Sequence, residues 1–218
     1  MKTTRLALLA IAVAAILSVA ASAQLTLDNF PTGNSGKNYV KSLTTAQSSA
    51  THYEGLPSGS LLGAARETTF AIGPNPYSQT STIDVGNGIL IVDTGFQVPS
   101  ALEIFYGTTT KGVETPLGLN LGAYSGLQLN FAGVISTEGI DVVVEVWPSS
   151  GGYYALGQEV ATNGSSFTVG FPFTGFTGAG GTLTQAETTD ISYIVIVIEG
   201  SGDPDITDSF AITSLQAY

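Results

Sequence analysis

The chain has no cysteine. This excludes a disulfide framework, a thiolate nucleophile and a cysteine-ligated metal. It has one histidine, His52, in the Ser- and Thr-rich stretch "SSATHYEG". A histidine-based zinc site needs more than one such ligand, and no Gly-x-Ser-x-Gly stretch offers a nucleophilic serine for a triad. No glycine loop of the phosphate-cradling type occurs. Basic residues are scarce, six against 17 acidic ones, for a net charge of −11. Such a surface repels nucleic acid and anionic membranes, so neither is expected as a partner. A glycosidase needs only a pair of carboxylates, so that class stays open by count, although nothing in the pattern marks a pair.

Long apolar runs are absent except at the start. Lys2 and Arg5 precede the run "LALLAIAVAAILSV", which is followed by small residues at Ala21 and Ala23. Charge, apolar stretch and small-residue site together predict a secretory signal peptide over residues 1–23. The run falls short of the ~20 residues that span a bilayer. A single domain over residues 24–218 remains, long enough to bury its own core. Loss of Lys2 and Arg5 leaves four basic residues against 17 acidic, a net of about −13. No membrane span is expected after cleavage, and the protein is expected outside the cell.

What is present is period two. Apolar and polar residues alternate in "RETTFAI", "ALEIFYG", "GLQLNFAGV", "IDVVVEVW" and "SFTVGFPF". Asn87-Gly88 joins two short runs in "TIDVGNGILIVD", a tight-hairpin signal. "ISYIVIVIE" is apolar almost throughout and reads as a central strand covered on both sides. No segment after the start carries a helical period. About ten strands separated by turns predict an all-β jelly-roll sandwich of two antiparallel sheets. Residues 32–60 read as a long loop with one short strand near Tyr39.

The order of "LTLDNF", "LGAYSGLQLNFAG", "VVVEVW", "FTVGFPFTGFTG", "ETTDISYIVIVIEG" and "DSFAITSLQAY" resembles the galactose-binding-domain-like jelly roll, in particular secreted carbohydrate-binding-module-like domains. That resemblance covers roughly residues 25–35 and 118–218. It implies that the first strand pairs with the last and that one sheet face binds glycan. Residues 60–112, with "LLGAARETTF", are similar to the N-terminal half of uncharacterised bacterial secreted β-sandwich proteins. Those often carry a C-terminal sorting tail; this chain stops at Tyr218, so release from the cell or non-covalent retention is expected.

Two constellations are candidates for chemistry. In "EVWPSSGGYYALG", the alternation puts Asp141, Glu145 and Trp147, the sole tryptophan, on one face, while Val142, Val144 and Val146 take the other. The carboxylate-bearing face is the wet one, so Trp147 is expected beside Glu145, with Tyr153 or Tyr154 opposite it across the turn. A ring stacks on the apolar face of a pyranose while carboxylates take hydroxyls. Against this stands packing, since a Trp beside a hairpin also serves to cover a sheet edge. The second constellation is "GSGDPDITD", where Asp203, Asp205 and Asp208 suit a hard cation such as calcium. The resemblance adds Asp28 near Asp208 as a structural calcium site; an acidic hairpin that keeps an edge soluble is the alternative. Arg66, beside Glu67, reads as half of a local ion pair; Asn163-Gly164-Ser165 matches a glycosylation acceptor but reads as a turn between strands. The expected function is a non-catalytic module binding a polysaccharide or cell-surface glycan. The alternative is an extracellular matrix or filament protein that self-associates through edge strands.

Overall fold

A computed structural model describes residues 23–32, 36–200 and 207–218. The expected signal peptide therefore lies, but for Ala23, outside the described residues. Two antiparallel sheets face each other in a jelly-roll sandwich. The first is seven-stranded. It runs β11 (Phe167–Pro172), β8 (Gly126–Ile135), β15 (Ser209–Ala217), β6 (Ile89–Asp93), β5 (Ser81–Gly86) and β2 (Tyr39–Leu43), with β1 (Leu25–Asp28) also paired to β15. The second is eight-stranded: β13 (Gly181–Thr182), β12 (Thr177–Gly178), β10 (Tyr154–Val160), β9 (Ile140–Pro148), β14 (Ile191–Gly200), β7 (Ser100–Thr108), β4 (Ala65–Ile72) and β3 (Ser49–Gly55). Two short 3-10 turns, Phe173–Gly175 and Glu187–Thr189, are the helical elements among the described residues.

The inward half of each alternation makes the core. Val142, Val144 and Val146 are fully buried and meet Leu129, Phe131 and Ile212 of the other sheet in one apolar cluster. Each such side chain contributes about 1.5–3 kcal/mol by leaving water. Gln128 and Asn130 point outward from β8, as the alternation predicts, and are tied into ladders by Gln216 at 2.8 Å and Ser214 at 2.8 Å. Asn87 and Gly88 take φ of 54° and 85°, the left-handed pair that a two-residue hairpin requires.

Two features differ from the sequence reading. Residues 32–60 are more regular than a loop: β3 fills Ser49–Gly55 and pairs with β4 over its whole length. Its Ser and Thr content hid it, because an edge strand needs one apolar face and β3 presents mostly polar side chains. The expected ion pair of Arg66 with Glu67 is also corrected. Neighbours on a strand point to opposite faces, so Glu67 faces out while Arg66 is wholly buried. Arg66 Nη1 donates to Asp28 Oδ2 at 2.6 Å and Nη2 to Glu54 Oε2 at 3.0 Å. The Tyr106 hydroxyl also donates to Asp28 Oδ2, at 2.7 Å, and the guanidinium lies 5.0 Å from the Phe30 ring centroid. One cation thus ties β1 of one sheet to β3, β4 and β7 of the other.

Candidate functional site

β9 and β14 are neighbours in the eight-stranded sheet, with Trp147 opposite Tyr193 and Glu145 opposite Val195. Because Val142, Val144 and Val146 are buried, the same alternation turns Asp141, Val143, Glu145 and Trp147 outward. Trp147 is 39% exposed and its indole N–H donates to Glu145 Oε2 at 3.3 Å. Pro148 closes the strand and a turn returns the chain through Gly151 and Gly152, whose φ values of 93° and 87° reverse the backbone. Tyr153 emerges from that turn 45% exposed, its ring centroid 5.2 Å from that of Trp147 with planes 30° apart. Tyr154, one residue on, necessarily faces the other way. Its ring is buried in the core cluster and its hydroxyl donates to Glu187 Oε1 at 2.6 Å. That bond pushes the Tyr154 phenol up and holds the Glu187 carboxyl low. Tyr153 and not Tyr154 is therefore the partner of Trp147, and Tyr154 is removed from the candidate set.

The strip of rings is longer than the sequence suggested. Tyr193 of β14 and Phe105 of β7 stack at 5.6 Å with planes 23° apart, on the same outer face. Their room comes from Gly107, which stands across from Tyr193. It takes φ +110°, and a Cβ there would collide with the Tyr193 ring. Beyond Phe105 the row continues to Glu67 on β4 and Tyr53 on β3, which sit directly across from one another. The Tyr53 hydroxyl is hydrogen-bonded to Glu67, while burial and the neighbouring Glu103 and Glu114 push the Glu67 carboxyl above its ordinary value. Two stacked aromatic pairs thus cross the flank of β10, then β9, β14 and β7, with carboxylates alongside. Ala155 and Gly157 of β10, opposite Glu145 and Val143, leave the neighbouring surface low. Asp141 lies at the far end of β9, between Glu159 and Glu199 and away from the rings. It belongs to the face but not to the strip. Phe105 was legible in the sequence, since Leu102, Ile104 and Tyr106 claim the inner side of β7. Tyr193 was not, because the run around it is apolar on both parities.

The expected calcium cluster does not assemble around Asp28. Asp28 lies opposite Leu215, whereas Asp208 precedes Ser209 at the other end of β15. Seven residues of strand separate them by about 20 Å. Both Asp28 oxygens are engaged, Oδ1 by the Phe30 N–H at 2.7 Å and Oδ2 by Arg66 and Tyr106. Asp208 is buried, its backbone paired with Thr94. Asp203 and Asp205 lie outside the described residues. Among the described residues, no three or more His, Asp and Glu side chains are grouped to hold a metal ion. His52 stacks flush on Tyr39, centroids 4.0 Å apart and planes 3° apart, where the edge strands β2 and β3 of the two sheets meet.

No protein-family model matches the chain, and no curated protein does. Among solved structures, the chain is similar to PfGH50B at a TM-score of 0.40 and 13% identity, over 63% of this chain and 21% of that one. It therefore spans about a fifth of that protein's length. It is also similar to a family 11 carbohydrate-binding module from Clostridium thermocellum in complex with a β-1,3-1,4-mixed-linked tetrasaccharide. The TM-score there is 0.38 and the identity 11%, over 88% of this chain and 94% of the module. A third is TmCBM61 in complex with β-1,4-galactotriose, at a TM-score of 0.36 and 10% identity, over 89% and 97%. Likeness at this level leaves the functional reading to the chain's own residues.

Proposed function

We propose that this protein is a secreted, non-catalytic carbohydrate-binding module, and that it holds its glycan on the outer face of the eight-stranded sheet. The single observation that carries this reading is the strip of two stacked aromatic pairs on the outer face, Tyr153 with Trp147, both exposed, and Tyr193 with Phe105, both half-buried. Large rings cost free energy when left in water. Rings packed for stability would face inward, where the valines of β9 already lie. Aromatic faces take the apolar side of a pyranose, and the adjoining carboxylates accept hydrogen bonds from its hydroxyls. Glu145 also fixes the indole edge, so less rotamer freedom is lost on binding.

The test is affinity electrophoresis of residues 24–218 in gels containing individual polysaccharides. Retardation by at least one of them, removed by Trp147→Ala, is expected. Mobility unchanged in all of them, or retardation that persists in the variant, would overturn the reading. Release of reducing ends from a bound polysaccharide would replace the non-catalytic part with hydrolysis.

A further inference from the structure

We infer that the glycan is neutral and linear, and that it lies across the strands of the eight-stranded sheet rather than along them. This rests on the binding reading above and deepens it to a substrate class.

The direction follows from where the rings stand. Along β9 the outward series is Trp147, Glu145, Val143 and Asp141, which offers a chain running with the strand only one ring. Across the sheet there are four, from Tyr153 beside β10 through Trp147 and Tyr193 to Phe105. Three interstrand steps of about 4.8 Å make a strip some 15 Å long. An extended, equatorially linked chain presents one pyranose face after another along a line, so successive units can meet rings on successive strands. The strip lies on the flat of a sheet and runs on past Phe105 to Glu67 and Tyr53. It therefore takes an internal stretch of a long chain, not a chain end.

The charge class follows from the rest of the face. The outward residues of β10, β9, β14, β7 and β4 include Glu159, Asp141, Glu145, Glu199, Glu103 and Glu67, and no Lys, Arg or His. Glu159, Asp141 and Glu199 stand in one row on three adjacent strands. Like charges in register cost stability. An anionic sugar entering this field meets repulsion along the strands that carry the rings, and the overall negative charge extends that repulsion into solution; a lysine, Lys111, stands only at the far end, next to Gly112, which packs against Tyr53. A neutral hydroxyl can donate to these carboxylates without any charge penalty.

The experiment is calorimetric titration of residues 24–218, at low and at high salt. The neutral probes are β-1,4-linked oligomers of glucose, xylose and mannose of one to six units. The anionic probes are polygalacturonate and alginate. For at least one neutral series, affinity is expected to rise about tenfold or more from the disaccharide to the tetrasaccharide and then level off, as further rings come into contact. The polyuronates are expected not to bind at low salt. The paired variant Glu103→Lys and Glu199→Lys is expected to retain polygalacturonate at low salt and release it at high salt. A monosaccharide bound as tightly as a tetrasaccharide would overturn the across-strand geometry. A polyuronate bound by the parent at low salt, and lost in Trp147→Ala, would overturn the neutral class while leaving the binding face in place. A parent chain that binds none of these probes but is retarded by a branched polysaccharide would overturn linearity. Binding to nothing overturns both readings.

Discussion

Replacing Arg66 by Met removes the only buried cation among the described residues while keeping much of its stem. The loss leaves the Asp28 and Glu54 carboxylates facing each other across a space sealed from water, both side chains being almost wholly buried. Breaking a buried ion pair by removing one partner costs about 3–5 kcal/mol, because the desolvation of the remaining charge is no longer offset. The stacking of the guanidinium over Phe30 disappears as well. At this chain length each kcal/mol moves the melting temperature by about 2–4 °C, so Arg66→Met is expected to melt some 6–20 °C below the parent. Urea unfolding followed by far-ultraviolet circular dichroism gives the free energy directly. The triple variant Asp28→Asn, Glu54→Gln, Arg66→Met removes the charges together and is expected to regain part of the loss, since a vacated neutral cluster no longer holds unpaired carboxylates. An Arg66→Met protein within about 1 kcal/mol of the parent would show that the cluster does not tie the two sheets together, and the reasoning would fail.

Gly107→Ala is expected to weaken glycan binding without touching glycan, by displacing Tyr193 from its place beside Phe105; unchanged affinity would contradict the placement of that ring. For His52, burial against Tyr39 is the main cause holding the imidazole below its ordinary value, with Glu54 opposing and Arg66 assisting. The unfolded chain then binds more protons than the folded one in the window from about 6.5 down to the depressed folded value, so stability falls as pH falls through it. His52→Gln is expected to flatten that segment of a stability-against-pH curve, and an equal slope in both proteins would refute the assignment. Tyr154→Phe is expected to leave glycan affinity unchanged, because the ring faces the core and its hydroxyl meets Glu187; a loss of affinity comparable to that of Trp147→Ala would return Tyr154 to the site.

Period-two alternation carried most of the fold, because a sheet with one buried face writes its own pattern. β4 through β11 and β15 follow the apolar alternation, and the placement of Trp147 beside Glu145 followed from three valines. The pattern lost its force where both faces are alike. β3 is polar on both sides, so it read as loop; β14 is apolar on both sides, so Tyr193 could not be assigned a face. Register is the other missing quantity. The partnership of Tyr193 with Phe105 and the distance between Asp28 and Asp208 depend on which residue stands opposite which, and that is set by pairings far apart in the chain. Arg66 shares its parity with Phe70 and Ile72, but burying a guanidinium is costly unless partners meet it, and its partners, Asp28 and Glu54, come from β1 and β3.

The central claim is that Trp147 and its neighbours form a surface for glycan rather than a piece of core, and one pair of measurements on Trp147→Ala tests it. A core tryptophan would cost about 3–5 kcal/mol on truncation. A ring that is 39% exposed and stacked on one neighbour is worth about 1 kcal/mol. The account predicts that Trp147→Ala unfolds within about 1 kcal/mol of the parent while its affinity for a polysaccharide that retards the parent falls about 30-fold or more, the loss of a binding hot spot. A variant that unfolds far below the parent, or that keeps its affinity, would contradict it.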